Sequence, residues 1–260
     1  MPITVPPDLI RSLRAARHIV ALTGAGISAE SGIPTFRDPL TGLWARYDAM
    51  ELATPDVFQR DPDLVWGWYE WRRELVRRAL PNPAHLALAR IARQVPRLTL
   101  VTQNVDDLHE RAGSLDPLHL HGEISRPYCE ACSAALAPTG GYEDVPDGGR
   151  RQAPPVCTAC GGRVRPGVVW FGESLPQAPW GAALAATRQC DAFLCIGTSA
   201  VVQPAASLIG IARRSGALTV QINPNPTAAV ASVTLLLLGN AGDVLPVVVD
   251  RVWGNGNDGP

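Results

Sequence analysis

Six short apolar runs, at residues 18–22, 98–102, 117–120, 191–196, 218–222 and 233–238, set the widest constraint on how this chain can fold. Runs of this length without polar alternation read as strands buried on both faces, and the amphipathic stretches at 8–17, 83–95 and 203–215 read as helices, the first with Asp8 as its expected N-cap. Strands alternating with helices predict an α/β fold, a Rossmann-like parallel sheet. Two stretches interrupt the alternation. Residues 39–80 offer Trp44, Trp66, Trp68, Tyr69 and Trp71 among charged residues at helical spacing where a strand is due, with 63–80 the longest helical candidate, and residues 122–165 carry two CxxC pairs. The expected organisation is therefore a sheet domain built from 1–38, 81–121 and 166–260, and a smaller helical plus zinc-ribbon subdomain built from 39–80 and 122–165.

Residues that can hold a ligand gather where these strands end, which is where open parallel sheets bind ligands. After the first comes Gly24-Ala25-Gly26, with Ala29 and Glu30 beyond it, a turn whose backbone N–H groups can cradle a pyrophosphate; a tight glycine turn without a ligand satisfies the same pattern. Gly32-Ile33-Pro34 would stop a helix begun here, so the glycines are expected to feed a loop, and Phe36 and Arg37 at its far end give it an aromatic face and a cation, as a dinucleotide lid would need. After the second run, Gln103, Asn104 and Asp106 are candidates for ribose and base contacts or for an ordinary Asx cap. His121-Gly122 follows the third run, and a histidine there is either structural or a general base; His119 points to the same face, and His109 is given no chemistry. Gly197-Thr198-Ser199 ends the fourth run in a second phosphate-accepting geometry.

Cys129-x-x-Cys132 and Cys157-x-x-Cys160 are separated by 24 residues. Four thiolates saturate a tetrahedral zinc and leave no position for water, so one structural zinc is expected. Cys190 and Cys195 lie in apolar sequence and read as core thiols. Basic and acidic residues number 23 and 24, for a net charge of −1, which gives no footprint for nucleic acid or an anionic membrane. No apolar run approaches the ~20 residues of a membrane span and no secretory signal is evident, so a cytoplasmic protein, expected to be a monomer, is read. Every basic residue is Arg; a chain without Lys cannot use Schiff-base or lysine-base chemistry, nor be acylated on its own lysine side chains.

Over the fifteen positions 23–37 the chain resembles the signature loop of the sirtuins, NAD-dependent protein deacylases, and the resemblance continues, in the family's order, through Gln103-Asn104-Val105-Asp106, His121-Gly122, the paired CxxC knuckles and Val169-Trp170-Phe171-Gly172-Glu173. It implies NAD as co-substrate and acyl-lysine proteins or peptides as substrates, with nicotinamide and O-acyl-ADP-ribose released. His121 would be the general base, with Asn104 beside it; Phe36 would shield the reacting sugar, Asn104 and Asp106 would face the nicotinamide ribose, and Asn223 and Ala241 the adenosine half. Val169, Phe171, Gly172 and Glu173 would hold the substrate as an added strand, with Val202 on a second strand.

Tyr69 and Arg72 stand three apart on one helix face. They read either as a core aromatic beside a solvated arginine paired with Glu70 or Glu74, or, by resemblance to the sirtuins that prefer succinyl and malonyl groups, as an acidic-acyl pocket completed by the small Ala53 sixteen positions earlier. ADP-ribosyl transfer to a protein and a non-catalytic NAD- or zinc-binding module are the rival readings.

Overall fold

The structure, a computed structural model, describes residues 3–35, 38, 42–136 and 149–254. In chain order the elements are α1 (Pro7–Ala15), β1 (His18–Thr23), α2 (Ala25–Ala29), a 3-10 turn (Gly42–Arg46), α3 (Ala49–Leu52), α4 (Pro55–Arg60), α5 (Pro62–Arg78), α6 (Pro83–Gln94), β2 (Arg97–Thr102), α7 (Leu108–Arg111), β3 (Leu118–His119), β4 (Tyr128–Cys129), β5 (Val164–Arg165), α8 (Gln177–Gln189), β6 (Ala192–Ile196), α9 (Ser207–Arg214), β7 (Leu218–Asn223), a second 3-10 turn (Ala228–Ser232), β8 (Leu235–Leu238) and α10 (Ala241–Trp253).

Six of the strands form one parallel sheet in the order β3-β2-β1-β6-β7-β8. All six residues of β1 are buried, as the unbroken apolar run requires of a strand covered on both faces. Its start is tied to β6 by Asp191, whose Oδ2 accepts the N–H groups of Arg17 and His18 at 2.8 and 2.9 Å. One face packs under α1, α6 and α10 through Leu13, Leu88, Val244 and Leu245; the other packs under α8 and α9 through Ala183, Phe193 and Leu208. The first helix begins a residue before the cap that the sequence suggests. Pro7 presets the first helical φ, so Asp8 falls inside the first turn, where its charge faces the positive end of the helix.

The interruption at 42–78 is helical, as expected, and its boundaries come from a repeated device: Thr54-Pro55, Asp61-Pro62 and Asn82-Pro83 each place a capping side chain before a proline that starts a helix. These helices enclose an aromatic core of Trp44, Phe58, Trp68, Tyr69, Trp71 and Trp170, separate from the two beside the sheet. Among its described residues the second interruption gives the antiparallel pair β4–β5, whose four residues include Cys129 and Arg165. Residues 165–171 do not rejoin the large sheet, contrary to expectation: Arg165 pairs with Tyr128, Val168 bridges Gly122, and the chain then crosses to Ala53, because its N–H groups find carbonyls there and not on a strand edge. Among the described residues no helix is long and apolar enough to cross a membrane.

Between β1, α6 and α7 lie two buried histidines, His85 and His109, with ring centroids 4.9 Å apart. Thr23 donates its hydroxyl to Thr102, so His109 Nε2 must donate to Thr23 Oγ1 at 2.9 Å; His85 Nδ1 accepts the Asn82 N–H at 3.3 Å. His85 is therefore neutral, and no hydrogen bond requires His109 to be charged. Burial pushes His85 down to about 4, and burial with its two histidine neighbours pushes His109 down to about 3. A histidine whose folded value lies below its unfolded ~6.5 contributes stability above pH 6.5 that is lost as the pH falls toward the folded value. Between pH 7 and 5, chemical denaturation of wild type should therefore lose about 2 kcal/mol more than that of His85→Gln. Parallel losses in the two proteins would show that the ring titrates as freely in the fold as outside it.

Candidate functional site

The strand order reverses between β1 and β6, and the loops leaving their C-terminal ends are stitched together. Gly24 donates its N–H to Ile196 O at 3.1 Å and Gly26 to Gly197 O at 2.8 Å. A Cβ on Gly24 would lie 2.7 Å from Thr198 Cβ, and one on Gly26 would lie 2.7 Å from Gly197 O, so only glycine permits this approach. The N–H groups expected to cradle a pyrophosphate are thus spent on the neighbouring loop, and what the two glycines supply is closeness of the loops at the crevice where open α/β sheets take their ligands. A five-residue helix starting at Ala25, absent from the loop expected here, carries the chain until Gly32, with φ of +85°, ends it. Phe36 and Arg37 lie outside the described residues.

The other cofactor candidates ring this crevice. Thr198 Oγ1 accepts from Gln103 Nε2 at 3.0 Å and from the Ala200 N–H at 3.2 Å, and Ser199 follows it. Asn223 ends β7 and Ala241 starts α10, the next elements along the sheet. The carboxylate of Glu30 accepts the Gly242 N–H at 3.0 and 3.2 Å, next to Ala241, and caps α10 from a position 212 residues earlier.

Beyond β2, Asn104 and Asp106 are joined by a residue that sequence reasoning missed. Ser28 Oγ accepts from Asn104 Nδ2 at 2.9 Å and donates to Asp106 Oδ2 at 3.0 Å. Nothing in the local spacing marks Ser28; a hydroxyl on a short glycine-flanked helix was the only signal. Asp106 Oδ1 accepts the Leu108 N–H at 3.2 Å, so this carboxylate is both a cap and a wall of the crevice. Burial raises its pKa, against the pull of those two hydrogen bonds.

The two histidines beyond them are held in opposite states. His121 Nδ1 lies 2.9 Å from Gln103 O; a carbonyl only accepts, so Nδ1 carries the proton and Nε2 is the lone pair. Burial lowers its pKa, and the Gln103 hydrogen bond only partly opposes this. His119 has an acceptor at each nitrogen, Asn104 O at 3.1 Å from Nδ1 and Glu110 Oε1 at 2.7 Å from Nε2. Burial lowers it too, but the Glu110 hydrogen bond and charge outweigh burial and hold it above its ordinary value. The two neighbouring rings are thus pushed in opposite directions, His121 toward the neutral form and His119 toward the charged one.

Tyr69 and Arg72 on α5 are 1% and 5% exposed, which removes the reading of a solvated arginine. Glu70 accepts from Arg73, and Glu74 accepts from Arg77 at 2.7 Å and from Arg78 at 2.5 Å, so the acidic neighbours proposed for Arg72 serve other arginines. The Arg72 guanidinium lies 5.3 Å over the Trp68 ring, and Tyr69 Oη accepts from Trp170 Nε1 at 3.1 Å. The segment that carries Trp170 is stretched across the cleft: Val169 donates to His121 O at 2.8 Å and Phe171 to Ala53 O at 3.0 Å. Ala53, Phe171 and His121 therefore meet along one line, with Gly172 at φ of +90° turning the chain away. Beside it opens a groove of about 530 Å³ walled by Thr54, Val57, Arg60 and Phe171. Glu173 has both oxygens committed, at 2.7 and 2.9 Å to Arg165 and 2.8 Å to the Trp170 N–H. Val202 sits in a bend, its carbonyl accepting the Ala206 N–H at 2.9 Å, and does not form the strand expected of it.

The Sγ atoms of Cys129, Cys132, Cys157 and Cys160 all lie within 4.8 Å of one another. Gly162 donates its N–H to Cys160 Sγ at 3.4 Å, and a Cβ on Gly162 would lie 2.9 Å from Cys129 Sγ. Four converging sulfurs, a backbone N–H on one of them and a glycine that keeps the space clear suit a structural zinc.

A family model described as the Sir2 family matches residues 24–204. The chain is 58% identical over 245 residues to the NAD-dependent protein deacylase of Methylococcus capsulatus, covering 94% of this chain and 96% of that protein. Among solved structures it resembles a Sir2 homolog–NAD complex, at 44% identity and a TM-score of 0.87 over 96% of this chain and 94% of the other. It also resembles Sir2 bound to acetylated peptide, at 30% identity and a TM-score of 0.82 over 95% and 98% of the two chains.

Proposed function

The chain belongs to the Sir2 family, and from that premise we infer that it is an NAD-dependent protein deacylase whose crevice holds NAD at the β1–β6 switch point and whose cleft holds an acyl-lysine peptide along residues 169–172. The observation that carries this reading is His121: its Nδ1–H is fixed by Gln103 O, its ring is kept neutral by burial, and its backbone carbonyl anchors Val169 of the segment facing the peptide.

NAD, when bound, supplies an electrophilic ribose carbon for the acyl oxygen, nicotinamide as the leaving group, and the sugar on which the acyl group ends. The chain's part is positioning and proton transfer. Asn104 and Asp106, locked to each other through Ser28, fix the nicotinamide-ribose side. Thr198 and Ser199 face the phosphates in the crevice that the close-packed glycines shape, and Asn223 and Ala241 the adenosine end. His121 Nε2 takes the proton of the sugar hydroxyl that attacks the acyl carbon. The four cysteines hold one zinc away from this chemistry. We assign 1–38, 81–121 and 166–260 to the sheet domain and 39–80 and 122–165 to the helical and zinc-bearing subdomain of a monomeric, cytoplasmic enzyme; thiols gathered as ligands and not paired as disulfides suit a reducing compartment.

The acyl group it takes is acidic, succinyl or malonyl, as well as acetyl. Support comes from a buried cation, Arg72, on the same helix face as a buried phenol, Tyr69, one end of the Ala53–Phe171 line. With one lysine peptide carrying either acetyl or succinyl, wild type should prefer succinyl and Arg72→Met should lose that preference by roughly tenfold to a hundredfold, the worth of one charge-assisted hydrogen bond. An acetyl preference unchanged by Arg72→Met would leave a plain deacetylase.

A further inference from the structure

We propose that Trp170 is a specificity-determining residue for the acidic-acyl reaction: its indole N–H occupies an acceptor position of the Tyr69 hydroxyl and so orients that hydroxyl's proton toward the carboxylate of the acyl group. The inference rests on the acidic-acyl reading of Tyr69 and Arg72 and adds to it a residue outside that pair.

The chemistry is one of direction. An indole nitrogen has a proton and no acceptor, so in the 3.1 Å contact between Trp170 Nε1 and Tyr69 Oη the tryptophan donates and the phenol accepts. The phenol's own proton is then left to be given elsewhere, and among the described residues Tyr69 has no acceptor for it. A carboxylate at the end of an acyl chain is an acceptor only and satisfies that proton; the methyl of an acetyl group cannot. Burial holds the phenol far above its ordinary pKa, so the donor persists at every working pH.

Neither partner is free to turn. Tyr69 stands edge-on to Trp68 at 4.7 Å between ring centroids and 70° between planes. Trp170 is held through its backbone by Glu173 and through its ring by the Arg165 guanidinium, 3.6 Å from the ring centroid, which Glu173 binds with both oxygens. The unit Glu173–Arg165–Trp170–Tyr69 reaches from β5, beside the cysteine cluster, to the acyl pocket, and accounts for a Glu173 with no oxygen to spare for substrate.

Trp170→Phe keeps an aromatic ring and removes the N–H. The succinyl-to-acetyl ratio of kcat/KM should fall about fivefold to twentyfold, chiefly through KM for the succinyl peptide, the scale of one hydrogen bond to a charged partner. In a Tyr69→Phe background the same substitution should change the ratio no further, because its effect passes through the hydroxyl. Arg72→Met measured alongside separates the two claims. If Arg72→Met abolishes the succinyl preference and Trp170→Phe leaves it intact, or if Trp170→Phe lowers the ratio equally with Tyr69 present and absent, Trp170 has no such role. If wild type shows no succinyl preference, the acidic-acyl reading fails and takes this one with it. Should Trp170→Phe not fold, wild type labelled with ¹⁵N-tryptophan gives the answer: the indole resonance that shifts in Tyr69→Phe should move on addition of succinyl peptide and stay still with acetyl peptide, and the reverse pattern overturns the proposal.

Discussion

Replacing His121 by alanine is expected to lower turnover of an acyl-lysine peptide by about 10²–10⁴-fold while the protein remains folded. The effect is large because the ring is built for one task. Its Nδ1–H is tied to Gln103 O at 2.9 Å and burial lowers its pKa, so at neutral pH the side chain presents an Nε2 lone pair and no charge. The neutral form is the active one, so kcat/KM in wild type should rise with pH through a midpoint below the ordinary ~6.5 and then level off. Peptide turnover, nicotinamide release and the circular dichroism spectrum of the variant are the measurements. A folded His121→Ala enzyme in which nicotinamide release and deacylation are both intact removes the deacylase mechanism as written.

How far the fold can be read from the chain depends on how local its cause is. The six strands are legible because a parallel strand covered on both faces must be largely apolar, as β1 is at its four central positions, with all six buried. Helix starts are legible where a cap and a proline are adjacent, as at Asp61-Pro62, and misplaced where the proline alone decides, as at Pro7. The stretch Gln103–Asp106 is legible by position, at a strand end. What escapes is whatever depends on partners far along the chain. Glu30 looks like part of a nucleotide loop, yet its partner is Gly242. Glu173 looks like a substrate contact, but Arg165 and the Trp170 amide use both its oxygens. Ser28 links Asn104 to Asp106 across more than seventy residues, and the Trp170–Tyr69 contact spans 101. Spacing within a motif carries no trace of such pairs, because they are selected by the packing of the two units and not by either motif's own geometry.

Removing the metal is expected to cost more than a local loosening. The β4–β5 ladder has two residues on each strand, and apart from Val164 its buried side chains near the cluster are the cysteines Cys129 and Cys157 themselves. With Arg165 the only other buried side chain of the ladder, so small a unit has no apolar core to fall back on, and a structural zinc contributes on the order of 10–16 kcal/mol in small domains of this kind. Chelation, or Cys129→Ser with Cys132→Ser, should therefore free the Cys129 and Val164 amides, now bonded to Ala134 O at 2.9 Å and Pro155 O at 3.0 Å, to exchange with solvent orders of magnitude faster. The consequence travels. Arg165 is in β5 and is also the group that stacks on Trp170 and binds Glu173, while Gly167 O accepts the Glu123 N–H two residues beyond His121. Loss of the ladder should thus remove activity toward succinyl peptide first and toward acetyl peptide with it, without unfolding the parallel sheet, whose own cores contain none of the four cysteines. One zinc per chain by metal analysis, hydrogen exchange at those two amides and turnover before and after chelation test the chain of effects. A cysteine variant that holds no metal, protects both amides and keeps wild-type turnover would falsify it.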